Sequence, residues 1–236
     1  MYSHSIGRSS LRVGLVSNII LARQMAISGS SRPINSYFEL FPKNFPAGGP
    51  PKDSFISNSK SMRREYRQLQ SENHPDILFG SSILKGVKDQ LDFSSVINRA
   101  YTALRNPYSR IAHFIQLYHP QHLDITQDEV AKELIAKFQS HSNESSFEYK
   151  DMLMVVLEAH ESLEMATLET ELDDLTEEND ARIRDSEEKL EKLIRNDWPI
   201  KDWDPTIMEA IRLKYWVNIQ NGIKEWEQGK PVHLTH

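Results

Sequence analysis

The chain has 236 residues, of which 39% are hydrophobic and 26% charged, and its formal net charge is −6. These values are ordinary for a globular protein, and the acidic balance argues against a nucleic-acid-binding protein, which needs a basic footprint. The lack of cysteine excludes disulfides, thiolate zinc sites, iron–sulfur ligation by Cys and thiol catalysis.

The first 31 residues differ in composition from the rest of the chain. They are rich in Ser and Arg, and no acidic residue occurs before Glu39. Leu11, Leu15 and Ile19 would share one helical face, so residues 1–31 are predicted to be a mitochondrial import presequence, with a secretory signal as the alternative. The apolar stretch Val13–Ala22 is too short to span a membrane. Removing residues 1–31 takes away three arginines and changes the net charge to about −9.

The remaining chain has helical periodicity and no convincing two-residue alternation, which predicts an all-α fold. A short element at Ser36–Phe41 precedes a Pro/Gly-rich loop and a helix at Ser59–Asn73. A loop is expected from His74 to Leu91, and Asp92 is a plausible N-cap for the next helix. The apolar stripe of that helix comprises Phe93, Val96, Ile97, Ala100, Tyr101 and Leu104.

Pro107 suits the first turn of a further helix, whose apolar stripe is Ile111, Phe114, Ile115 and Tyr118. Pro120 marks a domain boundary. Beyond it, helices are predicted from Thr126 or Gln127, from near Phe147 after a serine-rich loop, over about 177–196, and over about 205–227. The chain is therefore predicted to form two all-α domains, the second an antiparallel bundle with short connections.

His74-Pro75-Asp76 ends the helix at Ser59–Asn73, and four interpretations are open. A catalytic pair lacks a nucleophile, and one His with one Asp is too small a set for a closed metal shell. A helix-stopping turn without function and a contact surface for another protein are the other two. Pro75 by itself explains the end of the helix, because its ring disfavours helical conformation at Asn73 and His74.

The neighbouring helices favour the contact surface. The tripeptide follows a helix with an arginine face and precedes one that continues into Leu104, Pro107 and Arg110 as Leu-x-x-Pro-x-x-Arg. This combination resembles a J domain, over about residues 35–119. The resemblance implies that the loop docks on a DnaK-type ATPase chaperone. The chaperone-binding residues would then be His74, Pro75, Asp76, Arg63, Arg64 and Arg67, with the arginines meeting an acidic surface.

The segment "MLMVVLEAHESLE" has six consecutive apolar residues, Met152–Leu157. Met152, Val156, Ala159 and Leu163 would face the bundle, whereas Leu153 and Leu157 lie about 100° away. Either the bundle wraps this helix on more than one side, which periodicity alone favours, or an apolar binding patch is exposed.

Residues 36–236 resemble the mitochondrial J-type co-chaperones of iron–sulfur cluster biogenesis, relatives of the bacterial HscB-type proteins. The likeness is carried by "SYFELFPKNFP", "REYRQLQSENHPD", "VLEAHESLE" and "LKYWVNIQNGIKEWEQGK". It implies a mitochondrial matrix protein that is not an enzyme and needs no cofactor or metal. Its C-terminal bundle, residues 126–236, would be of a three-helix type and bind the cluster scaffold protein. The carried-over patch comprises Leu153, Leu157 and Tyr215, supported by Met152, Val155, Glu158, Glu161 and Met165.

The sequence departs from that family in two places. The segment Ile77–Leu91 is longer than expected, and Val155, Ser162 and Met165 stand where fungal members can carry polar or charged residues. A general J-domain co-chaperone with another client is the alternative function, and a hydrolase using His74 and Asp76 is disfavoured because no nucleophile is present. Three further histidines, His113, His119 and His122, with Asp124, fit a surface hinge better than a metal site.

Overall fold

Seven α-helices and two short 3-10 helices make up the regular structure of residues 36–73 and 87–230, the parts of the chain that the computed structural model describes. No strand occurs among these residues, so the predicted all-α class is confirmed. The predicted presequence at 1–31 and the tripeptide His74-Pro75-Asp76 lie outside the described residues.

The N-terminal half contains three helices: α1 (Ser59–Asn73), α2 (Val87–Arg105) and α3 (Pro107–Tyr118). A 3-10 helix at Tyr37–Leu40 precedes them. The bounds of α1 agree with the prediction, but α2 begins at Val87 instead of at Asp92. The expected N-cap at Asp92 is therefore wrong. Residues 87–91 contain neither Gly nor Pro, so nothing in them disfavours a helix that starts at Val87.

The C-terminal half contains four helices: α4 (Asp128–His141), α5 (Asn143–Met165), α6 (Asp173–Asn196) and α7 (Asp204–Lys224). The predicted serine-rich loop before α5 is reduced to Ser142, whose extended backbone separates the two helices. The Ser142 carbonyl accepts a hydrogen bond from the Ser146 N–H at 3.1 Å, and polar residues at a helix start are favourable there. Residues 126–230 thus contain four helices, the number that the sequence predicts, and the three-helix type of the bundle stays a prediction.

Hydrogen bonds between helices fix the direction of each one. Residues 179 and 180 of α6 contact residues 216 and 220 of α7, whereas residues 189–193 line one hollow with residues 205–212, so the pair is antiparallel. Residues 148 and 163 of α5 contact residues 212 and 226, so α5 runs parallel to α7. The predicted up-and-down arrangement is confirmed for these helices. The last helix ends at Lys224, and the Trp226 indole beyond it donates to the Leu163 carbonyl at 2.9 Å.

One hydrophobic core runs through both halves of the described chain. The Phe114 ring of α3 lies 6.1 Å from that of Trp203 and 6.2 Å from that of Trp198, which flank the turn before α7. The division into domains at 35–119 and 126–236 stays a prediction, because the core does not separate at that boundary. Among the described residues, no helix is long and apolar enough to cross a membrane.

Candidate partner-binding surfaces

The predicted chaperone-binding arginines form a solvent-exposed face on α1. Arg63, Arg64 and Arg67 are all exposed, and at 100° per residue they fall within one arc of about 100°. Lys60 lies on the same arc and is also exposed. The prediction of chaperone-binding residues does not include it, although its spacing of four and seven residues from Arg64 and Arg67 places it on the same helical face. Met62 and Leu69 occupy the opposite side and are buried, so the helix has one apolar face and one cationic face.

The carboxylate of Glu65 is withdrawn from this cationic face. Glu65 is buried, and its oxygens accept hydrogen bonds from the backbone N–H groups of Lys43 at 2.8 Å and Asn44 at 3.1 Å. The Asn44 side-chain amide donates a third bond at 2.6 Å. A buried carboxylate requires such partners. As a result, the four cations of α1 face solvent without an acidic neighbour on their arc.

Polar and aromatic contacts lock α1 against α2. The Tyr66 ring stacks on Tyr101 with centroids 4.0 Å apart, and its hydroxyl donates to Asn98 at 2.7 Å. Further along, Gln70 bonds both Asn98 and Ser94. Rising numbers in α1 meet falling numbers in α2, so the two helices form an antiparallel hairpin. The segment that contains His74, Pro75 and Asp76 connects them, and it lies outside the described residues.

The predicted scaffold-binding residues are exposed to very different degrees. Leu157 is 63% exposed and Met165 is 75% exposed, and Glu158 and Glu161 are exposed beside them. Leu153 and Val155 are half-buried and pack against the core. Met152 is buried, as its place on the bundle face predicts.

Tyr215 is buried, so its contribution to any surface is small. Its hydroxyl lies 3.2 Å from that of Tyr149 on α5. Burial and this hydrogen bond raise the pKa of Tyr215, which keeps the phenol neutral. The predicted patch therefore consists of an exposed part, around Leu157 and Met165, and a buried support, around Met152 and Tyr215. Whether the whole set binds a partner stays a prediction.

An ion pair joins the two halves of the chain near this core. Arg110 of α3 pairs with Glu187 of α6, donates to the Ser57 hydroxyl at 2.5 Å and to the Leu104 carbonyl at 2.8 Å, and lies over the Phe55 ring. Burial raises the pKa of the Glu187 carboxyl, and the Arg110 guanidinium acts in the opposite direction. In the sequence, Arg110 is the last residue of the Leu-x-x-Pro-x-x-Arg pattern. In the structure, it joins α3 to α6 through its ion pair with Glu187.

The three histidines that suggested a metal site have other contacts. His113 accepts a hydrogen bond from the Tyr37 N–H at 3.0 Å, and burial lowers the pKa of His113 to about 4, so it is neutral near pH 7. His119 caps the end of α3, and the His122 ring bonds the Gln116 carbonyl at 3.0 Å. Within residues 36–73 and 87–230, no group of three or more His, Asp and Glu side chains could hold a metal ion.

Comparison with known proteins places this arrangement in a family. Residues 148–224 match the family model of the HSCB C-terminal oligomerisation domain. The mitochondrial J-type co-chaperone JAC1 of Saccharomyces cerevisiae is 30% identical over 202 residues, which covers 86% of this chain and 94% of that protein. The co-chaperone protein HscB of Proteus mirabilis is 25% identical over 183 residues, covering 74% of this chain and 90% of that protein.

Solved structures give the same result for the fold. The Jac1 co-chaperone from Saccharomyces cerevisiae superposes with a TM-score of 0.55 at 27% identity, covering 84% of this chain and 100% of that one. The chaperone HscB from Vibrio cholerae superposes with a TM-score of 0.54 at 21% identity, covering 80% and 95% of the respective chains.

Proposed function

The chain belongs to the HscB family of J-type co-chaperones, and on that premise we propose that it stimulates ATP hydrolysis by a mitochondrial DnaK-type chaperone while delivering an iron–sulfur cluster scaffold protein to it. Two partners held by one molecule gain a high mutual effective concentration. The protein itself makes or breaks no bond in this mechanism. The J domain favours the hydrolysis-competent state of the chaperone, which is a population shift.

The observation that carries the proposal is the presence of two chemically different exposed faces on one continuous core. The face on α1 is cationic, since Glu65 is turned inward, and it suits an acidic surface of an ATPase chaperone. The face on α5 is apolar with acidic neighbours, and it suits a client with apolar and basic groups. A mitochondrial location follows the name of the yeast relative and the presequence pattern at 1–31.

The proposed role of His74, Pro75 and Asp76 comes from their position between the two helices of the hairpin. The fixed φ of Pro75 limits the conformations of the connection, so the imidazole and the carboxylate lose less entropy on docking. Arg63, Arg64 and Arg67 would then guide the encounter through their charge and form charge-assisted hydrogen bonds once docked.

Single-turnover ATP hydrolysis by the cognate mitochondrial DnaK-type chaperone tests this function. The wild-type protein and His74→Gln are compared, each with and without the purified scaffold protein. We expect the wild type to stimulate hydrolysis, the scaffold to increase that stimulation, and His74→Gln to lose it while binding the scaffold with unchanged affinity. The pair Leu153→Ala and Leu157→Ala should do the reverse.

Each other outcome points to a different conclusion. Stimulation that is indifferent to the scaffold would favour a general J-domain co-chaperone, which the exposed and adaptable Met154 and Met165 side chains would suit. A lack of stimulation by the wild type would return the His-Pro-Asp tripeptide to a simple turn. Scaffold affinity unchanged by the paired leucine substitutions would contradict the assignment of the patch.

A further inference from the structure

Exposed apolar side chains are concentrated on α5. Of the eight large hydrophobic residues that are exposed in the described part of the chain, five lie between residues 147 and 168. Four of them belong to α5 itself, and we call them the outer stripe: Phe147, Met154, Leu157 and Met165. Leu157 and Met165 were already assigned to the scaffold patch, whereas Phe147 and Met154 have no assigned role.

Helical geometry puts this stripe opposite the core. Because each residue turns the helix by about 100°, Phe147, Met154 and Met165 lie within about 20° of one another. The buried positions of α5, which include Met152 and Leu163, face about 160° away from them. Leu157, the fourth member, lies about 60–80° to one side of these three, towards the half-buried Leu153, so the stripe is continuous with the predicted patch.

A helix that packs on one side normally has polar residues on the other. In α5 the solvent side instead carries Phe147, Met154 and Met165, spread over about 27 Å at 1.5 Å per residue, with Asp151, Glu158 and Glu161 within about 40° of the same line. Phe147 is 64% exposed although its only cationic neighbour on the helix, Lys150, reaches over its ring at 5.6 Å. A row in which exposed apolar and acidic side chains are interspersed is suited to packing against one partner helix that carries both apolar and basic residues.

The charges beside the stripe determine which partner fits. Four exposed acidic residues accompany it, namely Asp151, Glu158, Glu161 and Glu164, while Glu148 pairs with Arg212 of α7, and Lys150 is the only Lys or Arg in α5. A second copy of this chain would bring like charges together, which is unfavourable. A partner helix with apolar residues flanked by Lys or Arg would instead gain electrostatic complementarity.

We propose that the outer stripe binds a basic amphipathic helix of the scaffold protein, with Phe147 and Met154 as contact residues beyond the predicted patch. This inference rests on the proposed function, because it identifies the partner of the same site. It extends the docking surface along the whole of α5 and gives the recognised segment a chemical description. Methionine at two stripe positions lets the surface adapt to the shape of the helix.

The test measures the affinity of the full-length protein for purified scaffold by isothermal titration calorimetry. Phe147→Ser with Met154→Ser changes only exposed side chains, so the fold should be kept, as circular dichroism and a denaturation curve would verify. We expect the dissociation constant to rise by a factor of about five or more, with chaperone stimulation in the absence of scaffold unchanged. Ile56→Ser, at another exposed apolar residue, is the matched control and should leave the affinity as it is.

The same experiment separates this inference from the proposed function. A change of less than twofold in Phe147→Ser with Met154→Ser, together with strong loss in Leu153→Ala with Leu157→Ala, would overturn the extended surface and keep the scaffold as partner. If wild-type protein does not bind the scaffold, both ideas fail.

Two further measurements test the identity of the occupant. Glu158→Gln with Glu161→Gln should weaken scaffold binding and flatten its dependence on salt, and an unaltered salt dependence would exclude a basic segment. Sedimentation of the protein alone should give a species that the stripe substitutions do not alter. Self-association that Phe147→Ser abolishes would assign the stripe to a second copy instead.

Discussion

Helices α1 and α5 both present an uncovered face to solvent, but the two faces are built in opposite ways. In α1 the apolar residues and Glu65 are turned inward, and the exposed Glu72 lies outside the arc of the four cations, so that arc carries only cations and neutral polar groups. In α5 the acids stay outside and accompany an apolar stripe. The first face can act at a distance through charge, and the second gains free energy only on contact, through burial of apolar area.

Because one face acts through charge and the other through apolar contact, the two surfaces should respond to different perturbations. Charge at the edge of an interface mainly changes the rate of association and its dependence on salt. Apolar contact mainly changes the rate of dissociation. A protein that must engage an ATPase transiently and hold a client meanwhile would use one surface of each kind.

The largest expected effect comes from removing the buried ion pair that joins the two halves of the chain. Arg110→Met leaves Glu187 without its partner in a site where burial already raises the pKa of that carboxyl. Removal of one partner from a buried pair costs about 3–5 kcal/mol. We expect the free energy of unfolding in urea to fall by that order, and both partner activities to be lost together at elevated temperature.

Lys132→Met is the control for this measurement. Lys132 pairs with Glu129 at 3.4 Å on the exposed side of α4, and surface pairs of this kind contribute about 0–1 kcal/mol. A fall of less than about 1 kcal/mol in Arg110→Met would mean that the two halves are held together by the apolar core alone.

A smaller effect is expected from reversing the charge of α1. Arg63→Glu with Arg67→Glu alters only exposed side chains, so the fold should be retained. Chaperone stimulation at low salt should fall by about tenfold or more, equivalent to about 1.4 kcal/mol, and scaffold affinity should stay unchanged. The measurement is the concentration of protein that gives half-maximal stimulation, taken over a range of KCl concentrations.

The comparison between α1 and α5 would be contradicted if this double substitution weakened scaffold binding as much as stimulation. Lys132→Glu, which places a negative charge on another exposed helix, is the matched control for the change in net charge. It should leave both activities close to those of the wild type.

His113 lies in the N-terminal half, and its titration is expected to have the smallest effect on the free energy of unfolding at neutral pH. Its pKa is lowered from 6.5 to about 4 by burial, so the unfolded chain binds a proton between those values that the folded protein does not. The stability due to neutral His113 is therefore fully present above about pH 6.5 and is lost as the pH falls towards 4. Denaturation curves at pH 7 and pH 5 should show a steeper loss in wild type than in His113→Gln. Parallel losses in the two proteins would show that His113 titrates normally.

Local sequence patterns were sufficient for much of this fold. Asn58 accepts hydrogen bonds from the Lys60 and Ser61 N–H groups at 3.0 Å, and such a cap together with strong apolar periodicity fixes the bounds of α1. The sequence predicts the start of α5 near Phe147, but the helix begins at Asn143, because serines and asparagine suit a loop and a first helical turn equally well.

The features that the sequence did not reveal depend on contacts between distant residues. Glu65 lies three residues after Met62 and four before Leu69, so its angle places it on the buried face, but the backbone groups of Lys43 and Asn44 that satisfy its carboxylate come from a loop more than 20 residues upstream. Arg110 and Glu187 are 77 residues apart. The burial of Tyr215 depends on Tyr149 from another helix. The exposure of Leu157 does not follow from its angle on the helix either, because periodicity alone favours a wrapped helix, and only the family resemblance implied an exposed patch.

The inward position of Glu65 has a consequence for attempts to imitate this protein with short peptides. In a synthetic peptide of residues 59–73, the backbone groups of Lys43 and Asn44 would be missing, so the Glu65 carboxylate would return to water. The solvated carboxylate of Glu65 would lower the net positive charge of such a peptide, which at 15 residues would be barely helical on its own. A useful competitor for the chaperone would have to include the loop at 41–45 or replace Glu65 with a neutral residue.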